Sequence, residues 1–366
     1  MIPIAKPLIG DEEINAVIEV LKSGMLASGK EVKEFEKEFA QYLGVKHGVA
    51  VVNGTAALDV ALKALRIGPG DEVITTPFTF IASANSILFQ GARPVFADID
   101  PKTYNLDPNE GLEKIGEKTK AIVVVHLYGQ PADMEAFKEI AEDYKLYLIE
   151  DCAQAHGAEF EGQKVGTFGD IAAFSFYPTK NMTTGEGGMV VTNNDELAKK
   201  ADLIRNHGQA EKYLHVELGY NLRMTNIAAA IGRAQLKKLD GWNKKRIENA
   251  KLLSEGISKI DGLTPPYVDE RVKHVFHQYV IKVEEEFPLS REDLMAKLGE
   301  KGIGTAVHYP IPVYYQPFYQ KLGYPKDICP NAIEASKKVL SLPVHPAVSE
   351  EDIGYIINTL RELEVP

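Results

Sequence analysis

From about residue 45 to residue 205 the chain alternates short apolar runs with longer segments whose apolar positions return every three or four residues. HGVAVV, DEVIT, PVFADI, AIVVVHLY, LYLIED, AAFSF and GMVVT read as strands. GTAALDVALKAL, TFIASANSILFQ, ADMEAFKEIAEDY and NDELAKKADLIRN read as helices between them. That order predicts an α/β fold with a mostly parallel sheet covered by helices on both faces. Farther on, LKKLDGWNKKRIENAKLLSEGISKI predicts a long charged helix with a break at Gly241. A strand, HQYVIKV, a helix, SREDLMAKLGEKG, and a closing helix from about Ser349 follow it. The expected division is a large domain over residues 1–240 and a smaller C-terminal α+β domain over 241–366, with the N-terminal segment free to pack on the small one.

Composition narrows the class. With 366 residues, 45% of them hydrophobic, the chain can bury one large core or two smaller ones. No apolar run is long enough to span a bilayer and the start, MIPIAKPLIGDEE, lacks a secretory core, so a cytoplasmic protein with no membrane partner is expected. A formal charge of -11 argues against a broad phosphate-backbone surface, and no nucleic-acid partner is expected. Two cysteines, Cys152 and Cys329, cannot build a disulfide framework or a four-cysteine metal site.

Candidate chemistry gathers at predicted strand ends. Asn53-Gly54-Thr55-Ala56 lies at a strand-to-helix junction, where free N–H groups and a hydroxyl suit a phosphate. A threonine-capped helix after a tight turn is the plainer reading. No dinucleotide glycine fingerprint or Walker-type ending is present. LYLIEDCAQAHGA ends a strand in Glu150-Asp151, at the sheet edge where α/β folds place ligands, although Asp151 could equally cap a helix. A metal site from Asp151, Cys152 and His156 fails for want of a convincing partner set, and no metal is expected. Lys180, in SFYPTKNMTTGEGG, follows AAFSF closely; a surface lysine is the default for any one such residue. Pyridoxal 5'-phosphate, however, asks for all these parts together: a lysine for a Schiff base, an acid for its ring nitrogen, a phosphate cradle and a flat neighbour, here in TPFTFIAS.

The segments NGTAAL, PFTFIAS, EDCAQAHGA, FGDIAAFSFYPTKNMTTGEGGMV, NHG, GYNLRMTNIAAAIGRAQL, VHYPIPVYYQPFY and SLPVHP follow in order over nearly the whole chain. On them the chain resembles the DegT/DnrJ/EryC1 group of pyridoxal-phosphate-dependent sugar aminotransferases, which have the aspartate-aminotransferase fold (fold type I). The resemblance implies Lys180 as the Schiff-base lysine and proton shuttle, and Asp151 as the partner of the ring nitrogen. It implies Phe80 stacked on the ring, with Phe78 in ordinary packing, and Gln154 on the ring hydroxyl. Thr55, Ala56 and Ser175 would hold the phosphate, and Asn221 would reach it from a second subunit, so that a homodimer carries its active sites at the interface. Arg223 would help there, with a salt bridge as the alternative; His308 and Tyr309 would border the substrate, with packing as theirs; Glu186 would face the sugar or solvent.

The same resemblance bears on the reaction. Members that dehydrate a sugar carry histidine in place of the lysine, so Lys180 implies transamination. L-glutamate is the usual amino donor and a keto sugar on a nucleoside diphosphate the usual acceptor. TTGEGG is similar to the loop of members that aminate C4 of the sugar. The alternatives are a cyclitol ketone, a C3-keto nucleotide sugar, or a cofactor-binding regulator without turnover. The last would be expected to lack Lys180 or Asp151, and both are present. A nicotinamide oxidoreductase, suggested only by the alternation of strands and helices, lacks its glycine fingerprint.

Overall fold

The computed structural model of the chain describes residues 1–364. Seven strands make the large sheet: β1 (His47–Val51), β2 (Glu72–Thr75), β3 (Arg93–Phe96), β4 (Thr119–Val125), β5 (Tyr147–Asp151), β6 (Ile171–Ser175) and β7 (Gly188–Thr192). Their spatial order is β1-β7-β6-β5-β4-β2-β3. Every pairing is parallel except the two that β7 makes, which are antiparallel. The seven predicted strands are therefore present, and one of them, GMVVT, runs against the rest.

Because strand side chains alternate, the sheet feeds a core on each face. Ile171 and Ala173 of β6 point into one core; Ala172 and Phe174 point into the other. The first core is closed by helices α3 (Gly54–Ala64), α4 (Ala82–Phe89) and α6 (Asp195–Arg205). The second is closed by α2 (Lys30–Leu43) and α7 (Asn226–Leu236), and farther along the sheet Phe137 and Ala141 of α5 (Met134–Tyr144) cover Ile122 and Leu148. Helix starts follow the capping chemistry of the sequence. Asn53 caps α3, Asp133 caps α5, Asn194 caps α6 and Thr225 caps α7 through their side-chain oxygens. The α3 cap is thus an asparagine, and the threonine-capped reading is corrected: Asn53 precedes the first turn and its oxygen reaches the Ala56 N–H at 2.9 Å.

Helix α8 (Leu239–Ile257) runs unbroken through Gly241. The expected break lies earlier, at Lys237–Lys238, between α7 and α8. A Cβ on Gly241 would meet nothing within 4 Å, so this glycine has no steric role and is simply carried by the helix. Beyond it, β8 (Leu263–Thr264), β9 (Tyr279–Val283) and β10 (Val339–Leu342) form a small antiparallel sheet. Its core includes Leu253 of α8, Leu294 and Leu298 of α9 (Arg291–Glu300), and Ile356 and Leu360 of α10 (Glu350–Glu364). The N-terminal segment joins this unit: the Ile2 N–H donates to the Gly302 carbonyl at 2.8 Å and the Gly304 N–H to the Ile2 carbonyl at 2.8 Å. Helix TFIASANSILFQ proves shorter than its pattern, starting at Ala82, and helices Asp11–Ser23 and Lys30–Leu43 lie outside the segments the alternation singled out.

Candidate active site

The carboxyl ends of β1, β2, β5 and β6 surround a cavity of about 600 Å³, at the sheet edge where parallel strands present their loops. Because β7 returns antiparallel, the whole connection from Ser175 to Gly188 stays at this edge. That connection is braced: the Thr184 N–H and the Thr183 hydroxyl both donate to the Phe176 carbonyl, at 3.0 and 2.8 Å. The Gly185 N–H donates to the Thr183 hydroxyl at 3.0 Å, and Asn181 Nδ2 to Asn243 Oδ1 at 2.7 Å. Lys180 therefore stands on a fixed backbone. Its half-buried amine has no hydrogen-bond or ion-pair partner among the described residues. Burial pulls its pKa down to about 8, with the Asp151 charge acting in the opposite direction.

Asp151 is the last residue of β5 and is buried. One carboxylate oxygen accepts the Ser83 hydroxyl at 2.7 Å; the other accepts the Ala153 N–H at 3.1 Å. No helix starts there, so the helix-cap alternative for Asp151 is corrected: the chain turns tightly back under it. Burial pushes its carboxyl pKa up, while those two donors and the charge of Lys180 hold it down. Gln154 is oriented from both ends. Its Oε1 accepts the Tyr128 N–H at 2.8 Å and its Nε2 donates to the Tyr309 hydroxyl at 3.1 Å, which leaves one amide hydrogen for a ligand.

At the start of α3 the Ala56 N–H is taken by Asn53, leaving the first-turn N–H groups of Gly54 and Thr55 beside the Ser175 hydroxyl. A Cβ on Gly54 would stand 2.5 Å from Ser175 Cβ, so only glycine lets the helix start approach β6 this closely. Phe80 borders the cavity and is 58% exposed, whereas Phe78 is 0% exposed and packs edge-on against Tyr309. Glu186 lines the cavity from an exposed turn. His308 donates or accepts through Nδ1 with the Ser341 hydroxyl at 2.8 Å, and burial lowers its pKa to about 4. Tyr309 lies beside it with its phenol on Gln154.

Asn221 and Arg223 are the expected site residues that the fold places apart. Asn221 is exposed and Arg223 donates to Asn206 Oδ1 at 2.7 Å, both outside the lining of this chain's own cavity. Ala56 is buried behind the first turn. Sequence reasoning missed Thr79, Ser83, His277 and Gln278, which all line the cavity. Thr79 and Ser83 lie four residues apart at a helix start next to Phe80, which marks a shared face without revealing the acid they meet; His277 looked like the beginning of a strand and carried no signal.

Among the described residues, the acidic, histidine and cysteine groups brought together are His126, Glu150 and Cys152, within 4.8 Å, in place of the Asp151–Cys152–His156 set weighed from sequence. Glu150 already accepts the Gly166, Phe168 and Gly169 N–H groups at 2.7–2.8 Å, and His126 at 3.1 Å. His126 Nδ1 accepts the Ala132 N–H at 3.1 Å, so its Nε2 carries the hydrogen given to Glu150. These lone pairs are spent on holding the strand ends. His156 is buried against Phe174 and Phe176, which with the Lys180 charge lowers its pKa to about 3.

Pyridoxal phosphate fits the residues present. A free amine, a buried acid whose two oxygens are aimed by donors, a spare amide hydrogen and a helix start opened by Gly54 meet in one cavity.

Comparison with known proteins agrees. The model of the DegT/DnrJ/EryC1/StrS aminotransferase family matches residues 7–361. The UDP-N-acetyl-3-dehydro-alpha-D-glucosamine 3-aminotransferase of Acidithiobacillus ferrooxidans is 42% identical, over 96% of this chain and 93% of its own. The GDP-perosamine synthase of Caulobacter vibrioides is 40% identical, over 100% and 98%. A Streptococcus pneumoniae protein described as a sugar aminotransferase, solved in its pyridoxal phosphate form, superposes with a TM-score of 0.93 at 30% identity, over 99% of this chain and 98% of that one. The same protein has been solved in its aminated, PMP form. The chain belongs to the DegT/DnrJ/EryC1/StrS aminotransferase family and is a pyridoxal-phosphate-dependent transaminase.

Proposed function

We propose that the protein moves the amino group of L-glutamate onto a keto sugar carried by a nucleoside diphosphate, at C4 of the sugar. The observation that carries the amino transfer is the partnerless Lys180 amine sharing one cavity with the buried Asp151; the choice of C4 rests on the TTGEGG loop beside it. When bound, pyridoxal phosphate supplies an electron sink for the carbon that loses its proton. Lys180 Nζ would hold the cofactor at rest; once freed by the donor's amine it would take the proton from the amino-bearing carbon and, in the second half of the transfer, deliver one to the sugar carbon that gains the amine. Its lowered pKa suits both duties, since a neutral amine is needed to receive the proton. Asp151 would keep a proton on the ring nitrogen, Gln154 would give its spare amide hydrogen to the ring hydroxyl, and Phe80 would offer a flat wall. Thr55 and Ser175, with the Gly54 N–H, hold the phosphate, and Ala56 closes the first turn behind them. Asn221, exposed on its own chain, completes the phosphate site of a second copy, with Arg223 beside it, in a homodimer. Glu186, His308 and Tyr309 border the sugar.

Nucleotide-linked sugars in the names of the relatives support the acceptor class. A second reading, amination at C3, has the A. ferrooxidans relative's name in its favour. The experiment is incubation with 15N-labelled L-glutamate and a panel of 3-keto and 4-keto nucleotide sugars and cyclitol ketones, with NMR of the product. Label on C4 supports the proposal; label on C3 replaces it with the second reading. Transfer only to a cyclitol ketone overturns both.

A further inference from the structure

The Asp151 carboxylate does not meet the cavity alone. Ser83, 1% exposed and in the first turn of α4, lies 2.7 Å from Asp151 Oδ2. A carboxylate can only accept, so the single Ser83 hydroxyl hydrogen is committed to it. Thr79, 4% exposed, lies 3.1 Å from the Ser83 oxygen. With the Ser83 hydrogen already given away, Thr79 must be the donor in that pair. The direction of both bonds is therefore fixed: Thr79 to Ser83 to Asp151. Each bond polarises the next, which strengthens the one that ends on the charged group. Thr79 is also the residue before Phe80, so the same relay ties the acid to the segment bearing the flat wall.

We propose that Thr79 and Ser83 form a two-hydroxyl relay that keeps the Asp151 carboxylate charged and aimed into the cavity, making Ser83 a positioning residue for amino transfer. The inference rests on Asp151 being the partner of the cofactor's ring nitrogen. Burial works against the charge on Asp151, and the Ser83 hydroxyl is the strongest of the groups that oppose it. Removing one charge-assisted bond costs about a factor of ten in favour of the protonated acid.

The test measures the affinity of the apoprotein for pyridoxal phosphate from acid to neutral pH, with the rate of the half-reaction with L-glutamate as a second readout. In Ser83→Ala the acid-side loss of affinity should move up by about one pH unit, and the half-reaction at neutral pH should slow about tenfold. Ser83→Thr, which keeps the hydroxyl, should restore both. Thr79→Val should shift the profile the same way by a smaller amount. A wild-type profile in Ser83→Ala, or an equal shift in Ser83→Thr, overturns the relay. Should Ser83→Ala fail to fold, an unshifted profile in Thr79→Val overturns it. Asp151→Asn separates the two ideas: it should slow the half-reaction with L-glutamate well beyond the tenfold of Ser83→Ala, and a near wild-type half-reaction in Asp151→Asn fails the reading of Asp151 rather than the relay.

Discussion

The pKa of Lys180 makes a quantitative prediction about how the apoprotein captures its cofactor. Attack on an aldehyde needs the neutral amine. Moving the lysine from 10.5 to about 8 raises the neutral fraction at pH 7 roughly 300-fold, to about one amine in ten. The cause is burial, which disfavours the ammonium, and the Asp151 charge partly restores it. The sign follows: below pH 8 the amine is mostly protonated, and above it mostly neutral. The capture rate should therefore climb about tenfold per pH unit below 8 and level off above it. In Asp151→Asn the opposing charge is gone, so the levelling should move to lower pH. The assay is stopped-flow absorbance on apoprotein mixed with pyridoxal phosphate, with Lys180→Ala as the baseline for non-covalent uptake. A rate that still climbs past pH 10 would show an ordinary lysine and refute the reasoning. A levelling that moves upward in Asp151→Asn would remove Asp151 as the neighbouring charge.

Three further outcomes are expected. Gly54→Ala forces a methyl against Ser175 and should weaken cofactor binding through about 1–3 kcal/mol of overpacking, measured by titration of the apoprotein. Glu150→Gln replaces one acceptor oxygen with an NH2 donor facing backbone N–H groups that the carboxylate accepts, and should lower unfolding stability by at least about 2 kcal/mol; a denaturant midpoint equal to wild type would contradict the buried-anion account. Asn221→Ala should loosen cofactor retention while sedimentation still shows a dimer; a monomer with full retention and activity would defeat the shared site.

The strands and most helices were legible because each carries its own period: β6 alternates between two cores and GTAALDVALKAL is apolar on successive turns. Strand direction was not legible. GMVVT looks like its neighbours, and only its pairing with β1 and β6 makes it antiparallel. The position of the α7–α8 break was misread because glycine is a helix breaker only where its flexibility is used, and Gly241 has open space around it. In the site, Lys180, Asp151, Gln154 and Ser175 were found because each lies at or just beyond a strand end and because together they resembled a known set. Ser83 was overlooked because its role depends on α4 bringing it against the end of β5, a contact across 68 residues that no local pattern records. His277 was overlooked for a similar reason: it lies just before β9 and lines the cavity beside residues far from it in sequence.

The central claim is that Lys180 and its neighbours make this chain a working transaminase. The most direct measurement is the visible absorption of the purified holoenzyme before and after L-glutamate, followed by addition of a nucleotide-linked keto sugar. The account predicts that the cofactor band falls as the pyridoxamine phosphate band rises, and that the keto sugar restores it. A cofactor band that neither glutamate nor any other amino donor changes would contradict the claim.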